Sequence, residues 1–551
     1  MARGPGTVSR LRRTSVRPVT ILPVFDDSWR TDWRATLGPA WPALLAFFVI
    51  CLFIGGMTTP LLDADLPMHL ALGEWIVRHR GVPFTEPFAW TRAGAPFFAY
   101  SWGPEVVYYA LLAFFGPNGL HALHGLTLAL AGVSIVVLGA AARWTGWTTL
   151  LIVALHIVIG VGVVPALRPQ GVLLVVLPLA WAFAMRVRDA DRPWPAAIGL
   201  FLCSTVAANS HLFFPLTAAP GVVVLERSPV KWRRVAVAAA AIVLGWLVSP
   251  YGLYWAQVYR LNFEPHALYS SPSPVDEYTP GFSALARGGG TGLLLVPLLV
   301  VLPWLTASRL EPRARGLHAL PWAGGLVLFA VAIRGLLPWW LATLPLTALA
   351  LGTLTAPLTP VVLTTQRTVV AAIFGAMVLI GGGRNGDPWQ EAAALPERRL
   401  PSSAASGIEP IAIWLDCHLK PGAEGRLLTT FNFGSYAKWR LPQLSESIDG
   451  RTIFPDSAAA AEAYFLPVRR SLPLPPWRSA DLAIVPLSYP VAAILDTAST
   501  WHRVGTTADR NGPAAIIGLW VNLEWWRRVG RDELPARSVP LFHRPYEAAC
   551  R

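Results

Sequence analysis

Apolar runs of about 17 to 22 residues recur from Trp41 to about residue 383, parted by short polar or broken stretches. Runs of that length suit helices that cross a bilayer. They fall near 40–58, 120–141, 148–165, 171–187, 195–208, 212–225, 235–251, 290–307, 318–333, 336–358 and 368–383. The pieces between 195 and 225 are short enough to be one broken helix pair. Residues 60–118 are too interrupted by Pro, Gly and polar groups for a simple span. Within them "HLALGEWIVRHRG" (69–81) reads as an amphipathic interfacial helix. "PEVVYYALLAFFG" (104–116) reads as a second interfacial or re-entrant helix that carries Glu105.

Beyond about residue 384 the period changes. Short β-like stretches such as "RLLTTF", "DLAIVPL" and "AAIIGLW" alternate with turn signals such as "NFGS" and "DRNG". The expected fold class is a polytopic α-helical membrane protein of about eleven transmembrane helices with a C-terminal extracytoplasmic α/β or α+β domain. Its expected divisions are a basic tail at 1–36, a transmembrane domain at 37–384 with an outer loop at 60–118, and a soluble domain at 385–551. Residues 385–408, rich in Pro and Ala, form the expected linker. No fixed-period repeat is evident.

Charge sets the orientation. The tail carries Arg3, Arg10, Arg12, Arg13, Arg17, Arg30 and Arg34, which keeps it in the cytoplasm. Alternation from there brings Arg143, "RVRDADR" (186–192), "ERSPVKWRR" (226–234), "RLEPRAR" (309–315) and Arg367 to the same side. An odd number of spans preserves that agreement and places the C-terminal domain outside. The expected location is the bacterial cytoplasmic (inner) membrane, multi-pass, with the N-terminus inside and no cleavable signal peptide.

Composition agrees. Of 551 residues, 54% are hydrophobic and only 14% charged, against roughly a quarter charged in a soluble protein. The net charge of +13 resides mostly in loop arginines, with only three lysines. It is read as a topology signal, and no nucleic-acid partner is expected. Cys51 and Cys203 fall in apolar spans as core fillers. Cys417 and Cys550 either pair outside the membrane or remain free thiols.

The same alternation gathers polar residues at the outer mouth. Asp63 and Asp65, two residues apart in a loop, can share a side and either hold a divalent cation (Mg or Mn) or supply a base; Asp65 can equally cap the helix that follows. His69, one turn later, can orient a carboxylate, ligate a metal or bind phosphate. Arg168 and Arg334, at the outer ends of spans, suit a phosphate headgroup or simply snorkel. Asn209 and His211 sit at a helix break, where backbone groups are left for ligands. Asp276 and Glu277 are candidates for a metal or the edge of a substrate cleft.

An outer carboxylate pair after the first span, interfacial helices, many spans and a soluble C-terminal domain resemble the GT-C superfamily of integral-membrane glycosyltransferases. The stretch "DADLPMHLALGEWIVRHRGVPFTEPFAWTRAGAPFFAYSWGPEVVYYAL" is similar to a bacterial GT-C-like group of poorly defined function. The likeness is carried by Asp63, Asp65, His69, Gly73, Trp75, Gly81, Pro83, Pro87, Phe88 and Trp102. Arg168-Pro169-Gln170, Asn209-x-His211, Ser249-Pro250-Tyr251-Gly252 and "SIDGRTIFP" (447–455) extend it across most of 40–510. Pro67, Met68, Glu86 and Ala208 depart from the group's pattern.

The resemblance implies an inverting transferase that moves a sugar from a polyprenyl-phosphate donor to a glycan, lipid or protein acceptor. Asp63 is then the expected general base, Asp65 its partner at the base or metal site, and His69, Arg168, Asn209, His211, Arg334 and Glu277 are the expected contacts to substrate or lipid phosphate. A non-catalytic relative used in assembly, a transporter or flippase of lipid-linked glycans, and an O-antigen polymerase or ligase are the alternatives. The polar residues gather at one mouth rather than at mid-bilayer, which disfavours the transporter.

Overall fold

The computed structural model describes residues 41–57, 61, 63, 65–144, 146–163, 167–226, 229–263, 282, 310, 312–331, 335–355, 405–449, 476–508, 516–536 and 538–541. The helical part contains α1 (Trp41–Met57), α2 (Leu66–His79), α3 (Trp102–Phe115), α4 (Pro117–Ala142), α5 (Gly146–Val163), α6 (Leu173–Asp189), α7 (Trp194–Ala208), α8 (Gly221–Leu225), α9 (Trp232–Leu247), α10 (Trp255–Phe263), α11 (Pro312–Val331) and α12 (Leu336–Thr355). Among the described residues, Pro117–Ala142, Pro169–Asp189 and Pro312–Val331 are long and apolar enough to cross a membrane, and shorter apolar helices surround them. The runs expected near 290–307 and 368–383 lie outside the described residues, as does most of the expected linker. The pair expected at 195–225 is indeed broken: α7 stops at Ala208, and a 3-10 turn at Phe214–Ala218 leads to α8.

One apolar core joins α1, α4–α9, α11 and α12, with Trp181, Trp339 and Trp340 fully buried in it. The polar edges of these rings are tied. Trp181 donates to the Leu341 carbonyl (3.0 Å), and Trp340 donates to His156 Nδ1 (2.9 Å), whose Nε2 meets the Leu174 carbonyl (2.8 Å). Such bonds matter where there is no water to satisfy a polar group. Helices α1 and α4 cross through glycine. A Cβ at Gly56 would strike the Gly125 backbone, and one at Gly125 would strike the Phe53 carbonyl. Small residues at a crossing let membrane helices approach closely.

Polar groups are sorted to the two ends of this bundle. Arg188, in the last turn of α6, meets Glu226 at 2.7 Å, and Glu226 in turn meets His318 of α11 at 2.6 Å. Asp63, Arg168 and Asn209 cluster with the loop helices α2 and α3 at the other end. Of the basic stretches assigned to one side by charge, 186–192 and 226–234 meet here.

The C-terminal part contains α13 (Ala405–His418), β1 (Gly425–Thr429), α14 (Phe431–Arg440), β2 (Leu444–Glu446), β3 (Leu482–Pro486), α15 (Pro490–Thr497), β4 (Trp501–Ala508), β5 (Ile516–Asn522), α16 (Leu523–Val529) and β6 (Val539–Pro540). They build a mixed sheet in the order β2-β1-β3-β5-β4-β6, parallel from β2 to β3 and antiparallel on either side of β5. β6 adds parallel to β4. Leu482, Ala483, Ile484 and Val485 are buried on both faces of β3, the pattern of a central strand. The expected α/β region is present. Cys417 is disulfide-bonded; its expected partner, Cys550, lies outside the described residues.

This domain docks on the loop helices through α14, which packs against α2. Trp439 joins the apolar cluster of Leu61, Leu66, Leu70, Tyr108 and Leu167. Trp90 donates to the Leu427 carbonyl (3.3 Å) and Thr91 to the Ser447 carbonyl (2.5 Å). Lys438, buried between Glu446 (2.8 Å) and Asp449, lies 4.4 Å from the centre of the Phe88 ring. Asp449, the first residue of the Asp-Gly-Arg element, thus neutralises a lysine at the domain contact; Gly450 and Arg451 lie outside the described residues.

The loop helices meet at Gly73, where a Cβ would collide with the Glu105 carbonyl. Alanine there gains up to about 1 kcal/mol in helix propensity, but overpacking costs about 1–3 kcal/mol. Gly73→Ala is therefore expected to melt at a lower temperature in detergent, whereas Gly55→Ala, with nothing within 4 Å of its Cβ, serves as the neutral control. A Gly73→Ala melting temperature equal to or above wild type would contradict this packing.

Candidate functional site

Leu61 is buried in the cluster that holds Trp439, and this fixes the chain leaving α1. Two residues later the Asp63 side chain, 2% exposed, turns inward. Its Oδ1 accepts the Asp65 amide at 2.9 Å, which tightens the loop into the start of α2. Asp65 occupies the N-cap position of α2, yet its side chain makes no capping hydrogen bond. It turns to Arg168 instead.

Arg168 stands in extended backbone just ahead of Pro169, which starts the turn into α6. Its Nε donates to Asp63 Oδ2 at 2.5 Å and its Nη2 to Asp63 Oδ1 at 3.2 Å. Nη2 also lies 3.3 Å from Asp65 Oδ2. One guanidinium therefore clamps both carboxylates across more than a hundred residues of chain, using the forked geometry that lysine lacks. The triad carries two negative charges and one positive.

Four residues beyond Asp65, His69 points to α3. Its Nδ1 lies 2.9 Å from Glu105 Oε1, with the two side chains 12% and 4% exposed. Glu105 Oε2 is buried without a hydrogen-bond partner among the described residues. Tyr108, one turn on, links the two clusters. Burial, then the Glu105 and Asp63 carboxylates, push its phenol pKa up, so it remains neutral.

A cavity of about 510 Å³ opens beside these groups. Its wall is largely apolar, formed by residues such as Trp102, Val107, Leu128 and Val172, with Arg168 at the polar part. Two further lining residues, His124 of α4 and Thr205 of α7, have buried polar atoms (Nε2 and Oγ) without hydrogen-bond partners among the described residues. An apolar cavity with a few convergent polar groups is the usual form of a ligand site.

Asn209 also lines the cavity, but its polar atoms brace the fold. Its Oδ1 accepts Trp102 Nε1 (2.7 Å), and its Nδ2 donates to the carbonyls of Thr205 (2.8 Å) and Val248 (2.7 Å). His211 is buried outside the cavity lining, with its Nδ1 accepting the Phe213 amide (3.2 Å) and its ring edge-on to Tyr100. Tyr251, of the Ser-Pro-Tyr-Gly element, donates to the Pro83 carbonyl (2.9 Å) and accepts the Ala99 amide (3.0 Å), pinning the outer loop. Arg334, Asp276 and Glu277 lie outside the described residues.

The geometry brings together Asp63, Asp65 and Arg168, with His69 alongside. Sequence reading assigned no site role to Glu105, His124 or Thr205. His121 and His124, three apart in an otherwise apolar run, were a legible signal, since ionisable residues inside a membrane segment are seldom idle. The metal reading fits the arrangement poorly. Asp63 and Asp65 are both held by Arg168, and no group of three or more His, Cys, Asp or Glu suited to an ion occurs among the described residues. A divalent cation would have to displace the guanidinium, so no step is assigned to one below.

The ion pair itself yields a test. Removing one partner of a buried pair costs about 3–5 kcal/mol because the other charge is left uncompensated. Arg168→Met is expected to lower the melting temperature sharply, and adding Asp63→Asn to restore part of the loss. Equal melting of Arg168→Met and wild type would show that the clamp does not hold the loop.

No family model and no curated protein matches the chain. Among solved structures, the crystal structure of ArnT from Cupriavidus metallidurans in the apo state is similar over 87% of this chain and 98% of that one, at 15% identity and a TM-score of 0.50. The crystal structure of the same protein bound to undecaprenyl phosphate aligns over the same shares, at 13% identity and a TM-score of 0.47. ArnT is a GT-C glycosyltransferase. At this identity the likeness is one of fold alone: the chain shares the fold of that apo ArnT structure over most of both chains.

Proposed function

We propose that the protein is an integral-membrane glycosyltransferase that takes a sugar from a polyprenyl-phosphate donor and passes it to an extracytoplasmic glycan, lipid or protein acceptor. The observation that carries this reading is Arg168, held by the buried Asp63 and the half-buried Asp65 in the wall of an apolar cavity. The donor has the same duality, an apolar chain joined to an anionic, sugar-bearing head. The cavity takes the first isoprene units of the chain, and Arg168 meets the phosphate.

The chemistry follows from the charges. As the bond from the anomeric carbon to the phosphate oxygen lengthens, positive charge grows on the sugar and negative charge on the phosphate. The excess negative charge of the Asp63–Asp65–Arg168 triad favours the first, and the guanidinium favours the second. Direct attack by the acceptor hydroxyl inverts the anomeric centre. Asp63 reaches the role of general base only if Arg168 releases it, so its first task here is to hold Arg168. The site faces outward from a bacterial cytoplasmic membrane, with the C-terminal domain on the same side.

The test uses purified protein in nanodiscs with a panel of radiolabelled polyprenyl-phosphate sugars and extracted envelope acceptors. Wild type is expected to transfer label. Arg168→Lys, which keeps the charge and loses the fork, is expected to lower kcat/KM by on the order of 10²-fold. Full activity of Arg168→Lys would remove the guanidinium from the mechanism, and donor binding without transfer by wild type would favour a non-catalytic relative.

A further inference from the structure

Transfer requires a group that removes the acceptor's hydroxyl proton, and we infer that His69, positioned by Glu105, is that general base. This rests on the transferase reading above and departs from the expectation that Asp63 takes the proton. Three observations carry it.

The first concerns Asp63. Its Oδ2 holds Arg168 Nε at 2.5 Å, and its Oδ1 already accepts both Arg168 Nη2 and the Asp65 amide. With its side chain 2% exposed, it offers little room to an incoming hydroxyl. Both of its oxygens are thus already engaged by the guanidinium and the amide.

The second concerns the imidazole. A carboxylate can only accept a hydrogen bond, so the contact between His69 Nδ1 and Glu105 Oε1 at 2.9 Å puts the ring proton on Nδ1. Nε2 is thereby left as the basic nitrogen, and it has no hydrogen-bond partner among the described residues. The side chain keeps 12% of its surface exposed against 2% for Asp63, although His69 is not among the residues lining the cavity.

The third concerns Glu105. Its Oε1 fixes the ring and its Oε2 is buried with no partner. Nothing else in the described structure uses this charge, which lies against an imidazole that becomes cationic on accepting a proton. A buried carboxylate behind a histidine is the arrangement by which a base is oriented and its protonated form stabilised. Gly73 allows it, because the close approach of α2 to the Glu105 carbonyl brings His69, on the same helix, to α3.

The step balances. The acceptor O–H bond breaks and its proton passes to His69 Nε2. The oxygen's electron pair forms the new bond to the anomeric carbon. The bond from that carbon to the donor's phosphate oxygen breaks, and its electron pair leaves with the polyprenyl phosphate. His69 then returns the proton to water. Glu105 touches neither substrate and is a positioning residue.

The experiment measures transfer in nanodiscs with the polyprenyl-phosphate sugar that wild type uses best. His69→Ala is expected to lose kcat by on the order of 10²–10⁴-fold, with the donor KM within about threefold of wild type, the normal margin for a group that acts in the transition state alone. Imidazole added to the assay is expected to restore part of that kcat, and to restore nothing to Arg168→Lys. Glu105→Gln, which retains an acceptor for Nδ1 and removes the charge, is expected to lower kcat with KM unchanged. His69→Gln serves as a second variant should His69→Ala not fold. Wild-type kcat in either His69 variant, or a loss expressed only in the donor KM, overturns the assignment while leaving the transferase reading intact. Absence of transfer by wild type overturns both.

Discussion

The clamp of Arg168 on Asp63 and Asp65 is the contact on which the outer end of the molecule depends. It joins the chain leaving α1 to the chain entering α6 and needs no regular secondary structure to do so. Its strength comes from seclusion. Asp63 is almost wholly withdrawn from water, where two parallel hydrogen bonds from one planar group count for far more than they would at a surface. A clamp of this kind also fixes register. α2 begins immediately after Asp65, so the angle of its first turn, and with it the direction of His69, is set by where Arg168 holds the loop.

Around that polar knot the apolar packing is continuous with the soluble domain. Leu61, Leu167 and Tyr108, each within a few residues of Asp63, Arg168 or Glu105, share one cluster with Trp439 of α14. The C-terminal domain thus contributes a side chain to the floor beneath the polar groups. Lys438 beside it is neutralised by Glu446 and Asp449 and covered by Phe88, so its charge is spent within the contact. A domain attached in this way excludes water from the loop helices, and exclusion of water strengthens the electrostatic interactions on which the site relies.

Much of this was legible in the sequence, for identifiable reasons. Span-length apolar runs gave helices close to their expected bounds, as with 171–187 against Leu173–Asp189. Two of the loops that charge bias placed on one side, 186–192 and 226–234, meet through Arg188 and Glu226. Pairing was not legible. Nothing in the spacing of Asp63, Asp65 and Arg168 says that the carboxylates hold the arginine, because that depends on the path of the chain between them. Asn209 misled for a related reason. A polar residue at a helix break looks available, but its amide was already engaged by the ends of α3 and α9. Glu105 was read as a charge in a short helix, since its partner lies thirty-six residues away on a different element.

Asp63 and Glu105 therefore divide their work by neighbourhood. Both are buried, and both bear on Tyr108. Asp63 faces a guanidinium, which engages both of its oxygens. Glu105 faces an imidazole through one oxygen alone. The same functional group thus becomes a fixed strut in one case and the support of a proton acceptor in the other. In the transfer proposed above, two acids with separate partners would leave the arginine in place while a proton moves, which a single aspartate engaged in both tasks could not do without releasing the arginine.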